Sequence, residues 1–350
     1  MKKTHVAFVF GGRTSEHEVS LLSAKNIIDA TDKDLFDVTL IGVDKHGTWR
    51  VYNFDHYLDF PDSPTKISLA PTGHVLGFSP GAGDAQIIDL QTGHPLPKPD
   101  VFFPIIHGTY GEDGSLQGFF NILGIPFVGS DVLSSAICMD KDIAKRLLRD
   151  AGLNVAPYAV FDKIENANFI EMSKLLGLPL FVKPANQGSS VGVSKATDKL
   201  SFDTAIRQAF SFDDKVLIET AVLGREIECA VLGNDAPRAS VCGEIISAGG
   251  FYSYDAKYID ADSAKIIIPA DVDEKLSDSI RMVALEAFQI LGCKGLARID
   301  LFLEENGRIT INEVNTLPGF TNISMYPKLW EETKISYSDL ITALIRHALQ

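Results

Sequence analysis

The chain has 350 residues, 45 % of them hydrophobic and 22 % charged, with a formal net charge of −14. That length is too great for one ordinary core and predicts two or three domains. The average composition and the lack of low-complexity tracts exclude a disordered chain. The acidic balance excludes a nucleic-acid surface, which needs a basic stripe, but it suits divalent cations and leaves room for a nucleotide held by a few local lysines.

The N-terminal Met1–His5 is followed by only a short apolar run, Val6–Phe10, too short for a secretory leader. No run approaches the ~18 apolar residues of a membrane span. A cytoplasmic protein with no membrane contact is therefore expected. Cys138, Cys229, Cys242 and Cys293 show neither CxxC pairs nor zinc-site spacing and read as reduced, buried small hydrophobes.

In chain order, Val6–Phe10 reads as a strand, residues 11–14 as a loop and Ser15 onward as a helix started by a Ser15/Glu18 capping box. Val38–Val43 and Val101–Ile106 are further strands, and the Pro-, Gly- and Asp-rich residues 53–98 read as hairpins and loops. Strands alternating with helices predict a mostly parallel sheet with ligands at strand C-terminal ends. A boundary near Ser134–Asp140 precedes a helix over 140–152 that stops at Gly152. Short strands at 159–161, 180–183, 191–194 and 216–219 follow, with a helix near 166–176. From Gly224 onward come strands at 226–232, 242–246 and 265–268, a helix over 272–291 and the segment 295–315. The predicted domains are 1–137, 138–223 and 224–350.

The stretch 295–315 carries chemistry. Asn306-Gly307 favours a two-residue hairpin turn. Glu305 would then pair with Arg308, while Asp300 would face Glu313 and Arg298 would face Asn315, these last four on one side of the sheet. Facing carboxylates about 4.5–5.5 Å apart repel, and on a half-buried sheet they need a shared proton or a cation. With Asn315 beside them the donor set is all oxygen, which suits Mg²⁺ or Mn²⁺ rather than zinc. An exposed hairpin with ordinary surface charges fits the segment equally well.

Phe181–Val193 reads as strand, small-residue loop and strand. Gly188, Ser189, Ser190 and Gly192 let backbone N–H groups approach an anion, and Lys183 adds charge. The GK[ST] ending of a Walker loop is absent, and a glycine-serine turn is more often a plain hairpin. Lys141, early in its helix, is either a solvated lysine or a second phosphate contact.

Eight segments spread over nearly the whole chain resemble the D-alanine–D-alanine ligases of the ATP-grasp superfamily, in the family's order. They are GGRTSEHEVS (11–20), HGTYGEDGSLQG (107–118), IPFVGSD (125–131), MDK (139–141), KPANQGSSVGV (183–193), FYSYDAKY (251–258), GLARIDLF (295–302) and NEVNTLPGFT (312–321). The resemblance implies an α/β, three-domain ATP-grasp ligase with an N-terminal Rossmann-like parallel-sheet domain. It implies ATP with two Mg²⁺ ions (Mn²⁺ able to substitute), D-alanine as substrate, and a homodimer.

Residue by residue, Asp300, Glu313 and Asn315 match the family's metal ligands. Lys141 and Lys183 match its phosphate-contacting lysines, and 188–192 its loop over the triphosphate, including Gly188 and Ser190. Glu219, Ala221 and Val222 match the strand whose backbone reads adenine, and Glu226 the ribose-binding acid; Glu219 and Glu226 also read as ordinary strand-edge carboxylates. Glu16 matches the residue holding the first D-alanine's ammonium, although a first-turn helix acid is its plain reading. His107 matches a histidine near that substrate, while a lone histidine is more often structural. Ser189 and Tyr258 match hydroxyls linked to Glu16 across the closed site. Lys257 and Ser324 match contacts to the second substrate's carboxylate, and Arg298 with the Gly319 backbone the oxyanion stabilisers.

The chemistry this implies is attack of one D-alanine carboxylate on the γ-phosphorus of ATP, then attack of a second D-alanine's amine on the acyl phosphate, serving peptidoglycan synthesis. The polar stretch 247–265 reads as a lid that excludes water. Tyr258 stands where ester-forming relatives carry another residue, so a dipeptide is favoured over D-alanyl-D-lactate, and Tyr258→Phe is expected to admit D-lactate. Competing readings are another ATP-grasp ligase making a D-Ala-X product, a nucleotide-dependent oxidoreductase and a non-catalytic nucleotide sensor. The oxidoreductase is disfavoured because Gly11-Gly12 lacks the GxGxxG pattern.

Overall fold

A computed structural model describes residues 2–247 and 264–350; the predicted lid residues Lys257 and Tyr258 lie outside them. The chain opens with β1 (Thr4–Gly11), α1 (His17–Ala30), β2 (Phe36–Val43) and β3 (Trp49–Tyr52). A ribbon of β4 (Leu58–Asp59) and β5 (Ser68–Leu69) follows, then β6 (His74–Phe78), β7 (Ile87–Asp89) and β8 (Val101–Ile105). The six-stranded sheet runs β7-β6-β3-β2-β1-β8. Only β2, β1 and β8 are parallel; β3, β6 and β7 extend the sheet antiparallel. This corrects the mostly parallel expectation. The Gly- and Asp-rich segment returns through turns rather than helices, and a strand joined by a tight return can only pair antiparallel. β1 lies between its two parallel neighbours, and its run Val6–Phe10 is wholly buried, as a strand covered on both faces requires.

The predicted capping box does not form. Helix α1 has Glu16 at its N-cap with no side-chain cap bond, while Glu18 reaches out to Lys45. Helices α2 (Ser115–Leu123), α3 (Val132–Met139) and α4 (Lys141–Asp150) lead onward. Asp140 caps α4 by accepting from the N–H groups of Asp142 and Ile143, and Gly152, at φ +92°, follows its end.

A four-stranded antiparallel sheet is built from β9 (Tyr158–Phe161), β10 (Leu180–Pro184), β11 (Ser194–Ala196) and β12 (Val216–Thr220), with α5 (Phe169–Leu176) and α6 (Lys199–Phe210) between them. The strand expected at 191–194 starts only at Ser194, because Ser189, Ser190 and Gly192 have positive φ and break the extended run. A five-stranded antiparallel sheet follows, from β13 (Gly224–Gly233), β14 (Arg238–Ser247), β15 (Ala264–Ile267), β16 (Gly295–Glu304) and β17 (Ile309–Asn315), in order β15-β14-β13-β16-β17. Helix α7 (Glu274–Ile290) covers one face. The terminal α8 (Met325–Glu332) and α9 (Tyr337–Ala348) turn back toward the first sheet. Alternation along β13 explains the division: Cys229 and Val231 share a core with Phe288 of α7, whereas Ala230 and Leu232 share one with Phe8, Phe10, Trp330 and Leu344.

The β16–β17 hairpin reaches the predicted pairing by another route. Asp300 faces Glu313 and Arg298 faces Asn315, as expected. The turn, however, pairs Glu304 with Arg308, and Gly307 takes φ +81°. This is a three-residue loop with a left-handed glycine, not the two-residue turn expected. A register shift between Asp300 and Leu301, where Leu301 pairs Ile311, restores the pairing. The two departures cancel at the carboxylates.

Candidate active site

A cavity between the four- and five-stranded sheets is walled by Lys183 and Glu219 on one side and by Glu226, Asp300 and Glu313 on the other, with Lys141 between them. Strand pairing places these side chains. Lys183 on β10 and Glu219 on β12 lie two residues apart diagonally, since Lys183 pairs with Leu217 and Phe181 with Glu219.

Glu219 is no strand-edge carboxylate. It is 5 % exposed on an inner strand and binds two ammoniums, Lys183 through Oε1 and Lys145 through Oε2 at 3.2 Å. Burial alone would raise its carboxyl, but Lys145 and Lys183 hold it below the ordinary carboxylate range. Burial pulls the Lys145 ammonium below its usual value against the opposing attraction of Glu219. Lys145 was not foreseen. Its signal was spacing: it sits four residues after Lys141, on the α4 face that buries Ala144 and Leu148.

The opposite wall is richer in acids among the described residues. Arg298 chelates Asp300, with Nε to Oδ1 at 2.7 Å and Nη2 to Oδ2 at 2.8 Å, and its Nε also lies 2.9 Å from Glu228 Oε2. Glu313, opposite Asp300, approaches Lys141 at 3.9 Å, and Lys141 Nζ donates to Gln187 O at 2.6 Å. Asn315 Oδ1 accepts from the Leu317 N–H. Among the described residues no group of three or more His, Cys, Asp or Glu side chains is arranged as a metal cage. The two facing carboxylates and the Asn315 amide nevertheless give an all-oxygen donor set that fits Mg²⁺.

A smaller cavity joins this wall to the N-terminal sheet, gathering Glu112, Lys141, Gly188, Ser189, Glu313 and Asn315. The 188–192 loop packs closely there. A Cβ on Gly188 would stand 3.1 Å from Glu16 Oε1, and one on Gly192 2.8 Å from Pro184 Cγ. Ser189 and Ser190, at φ +48° and +61°, are non-glycine residues in left-handed conformations, the local strain that gathers at functional sites. Glu16 is 4 % exposed and its side chain does not cap α1.

His107 is buried, with Nδ1 3.0 Å from Leu317 O and Nε2 3.0 Å from Ser23 Oγ. Ser23 Oγ in turn accepts from the Phe320 N–H. The histidine therefore ties the end of β8 to the loop carrying Gly319. Glu112 Oε1 lies 3.6 Å from Nδ1. Burial pushes the Glu112 carboxyl up to about 7 against its contact with His107. Burial would lower His107, but Glu112 carries it above its usual value. Glu112 was also missed, although it lies within the HGTYGEDG segment. Ser324 is buried and its hydroxyl is taken up by Thr321. The Ala221 N–H turns to Pro179 O, so it is Thr220 and Val222 that line the larger cavity.

Two family models cover the chain, the D-ala D-ala ligase N-terminus over residues 5–130 and the D-ala D-ala ligase C-terminus over 147–346. This chain belongs to the D-alanine–D-alanine ligase family. It is 57 % identical to the D-alanine–D-alanine ligase A of Escherichia coli K12, across 100 % of this chain and 97 % of that one. Among solved structures it is similar to the D-alanine–D-alanine ligase of Coxiella burnetii, at 35 % identity and TM-score 0.85 over 100 % of this chain and 94 % of that one. It is likewise similar to the VanG D-Ala:D-Ser ligase of Enterococcus faecalis, at 35 % identity and TM-score 0.87 over 99 % and 100 %. Membership of this ATP-grasp family agrees with the arrangement of the three larger sheets.

Proposed function

We propose that the chain joins two D-alanines to D-alanyl-D-alanine at the expense of ATP, for peptidoglycan synthesis, with the site residues named above in their family roles. One observation carries the assignment of the site: a wall with two lysines on one buried carboxylate faces a wall where three carboxylates meet two cations. A triphosphate with its divalent ions has the complementary polarity.

Asp300, Glu313 and Asn315 would hold two Mg²⁺ ions, with Mn²⁺ able to substitute, and the metal supplies charge neutralisation at the transferring phosphoryl group. Lys183 and Lys141 bind phosphate oxygens. The 188–192 loop covers them with backbone N–H groups and with Ser190, while Val222 and Glu226 take the base and ribose. Glu16 holds the ammonium of the first D-alanine, with Ser189 and His107 beside it. Its carboxylate attacks the γ-phosphorus and ADP departs. The amine of the second D-alanine, whose carboxylate lies toward Ser324, attacks the acyl carbon after losing a proton. Arg298 and the Gly319 N–H stabilise the oxyanion, and phosphate leaves. Lys257 and Tyr258, outside the described residues, take their family roles here by resemblance alone.

The reading also takes the three sheets as three domains, divided at 137 and 223, and the protein as a cytoplasmic homodimer. No described helix is long and apolar enough to cross a membrane. Likeness to a D-Ala:D-Ser ligase raises a second product, D-alanyl-D-serine. ADP release with D-alanine alone and with added D-serine or D-lactate, followed by mass analysis, tests both. Strong D-alanine dependence with D-alanyl-D-alanine as main product is expected; ADP release indifferent to D-alanine would end the proposal.

A further inference from the structure

Lys183 and Lys145 share one carboxylate, and the phosphate reading gives work to only the first. Lys145 is an unusual core residue. Its side chain is 2 % exposed, and its Nζ lies 3.2 Å from Glu219 Oε2. Among the described residues, Nζ and Oε2 are each other's ion-pair partner. A lysine is among the costliest residues to bury, and an apolar side chain of similar volume is often neutral or stabilising in its place. Packing alone gives no reason for the charge.

The surrounding structure fixes Lys145 where it is. Asp140 caps α4, Lys215 Nζ holds the Asp140 carboxylate at 2.5 Å, and the Lys141 N–H is bound to Ala185 O. Helical periodicity then sets Lys145 one turn deeper than Lys141, against Glu219. Lys183 lines the cavity itself. Once it turns from Glu219 to a phosphate, Glu219 keeps a compensating cation only if Lys145 stays.

We infer that Lys145 is a positioning residue for nucleotide recognition: it pins Glu219 through Oε2, which frees Lys183 for phosphate and leaves Oε1 to accept from the amino group of an adenine base. The inference rests on the proposed nucleotide role of this cavity. An ionised carboxylate only accepts hydrogen bonds, so it favours the adenine amine and repels the carbonyl that inosine triphosphate carries at the same position. The anchor is therefore also a source of base selectivity.

The test compares the full-length protein with Lys145→Met, Lys145→Arg and, as a control, Lys183→Met, in D-alanine-dependent ADP or IDP release. For Lys145→Met we expect the KM for ATP to rise about 10- to 100-fold while kcat changes by less than about threefold, the signature of lost binding common to ground and transition states. The KM for D-alanine should hold and the preference for ATP over inosine triphosphate should fall about tenfold, with Lys145→Arg recovering most of both. Unchanged ATP KM and base preference in folded Lys145→Met overturns the inference, as does a loss that appears only in thermal stability and kcat. Should that variant not fold, Lys145→Gln, read in the same way, decides. A Lys183→Met protein with wild-type ATP affinity would refute the nucleotide role of the cavity and take this inference down with it.

Discussion

The two walls of the larger cavity solve the burial of charge in opposite ways. On the β10–β12 side one carboxylate, Glu219, serves two lysines, which leaves a cation in excess. On the β16–β17 side Glu228, Asp300 and Glu313 face Arg298 and Lys141, three acids to two cations among the described residues. Such imbalances are costly to bury where nothing offsets them. Placed across one cavity, they make a dipolar seat whose electrostatics are completed by a ligand with negative and doubly positive parts. Under the proposed function each wall is tuned to the bound state, and each can be unbalanced separately.

The largest effect is expected on the acidic wall. Glu313→Gln, or chelation of divalent ions in the wild type, should lower ADP release by at least about 10³-fold, and excess Mg²⁺ should restore the chelated wild type far better than the variant. Next is Glu16, which lies outside both walls. Glu16→Gln should raise the D-alanine KM about 10- to 100-fold, the loss of one charge-assisted hydrogen bond of ~1.5–3 kcal/mol, with the ATP KM unchanged; parallel loss in both would show that the substrate pocket and the walls are not separable.

A smaller effect concerns pH. Glu112, pushed to about 7, and His107, also raised, hold their protons more tightly in the fold than in the unfolded chain. Their stabilisation is then complete below pH 4.5 and fades as pH rises through about 7. Between about pH 4.5 and 8 the melting temperature of the wild type should fall relative to that of Glu112→Gln, which stays neutral like the protonated acid, and parallel curves would refute the coupling. The smallest effect is expected for Gly192→Ala. The φ of +72° and the 2.8 Å approach to Pro184 Cγ predict ~1–3 kcal/mol of strain, read as a lower melting temperature with a modest rise in ATP KM.

Much of this was legible in the sequence because period-two alternation dictates which side chains share a sheet face. Asp300, Glu313 and Asn315 were placed correctly, although the turn and the register shift that place them were not. A one-residue turn difference and a compensating bulge leave the hydrophobic pattern unchanged, so the pattern could not report them. The Ser15/Glu18 box failed for a related reason: a capping motif is a local preference, and Lys45, 27 residues away, claims Glu18 instead. Lys145 and Glu112 escaped because each gains meaning only from a partner on another element, Glu219 on β12 and the buried His107 after β8. The antiparallel half of the first sheet depended on turn geometry inside a segment of weak periodicity.

The packing of α8 and α9 bears on how such a chain is made. Leu340, Ile341, Leu344 and Ile345 complete the same core as Val6, Phe8 and Val101, and Asn26 Nδ2 donates to Phe320 O across 294 residues of sequence. During synthesis the first sheet must wait, with one flank open to solvent, until the last helix has left the ribosome. Contacts this distant are slow to form, and apolar surface left open invites aggregation. A chain cut short before α8 and α9 would thus carry an opening domain that, though fully translated, lacks its seal.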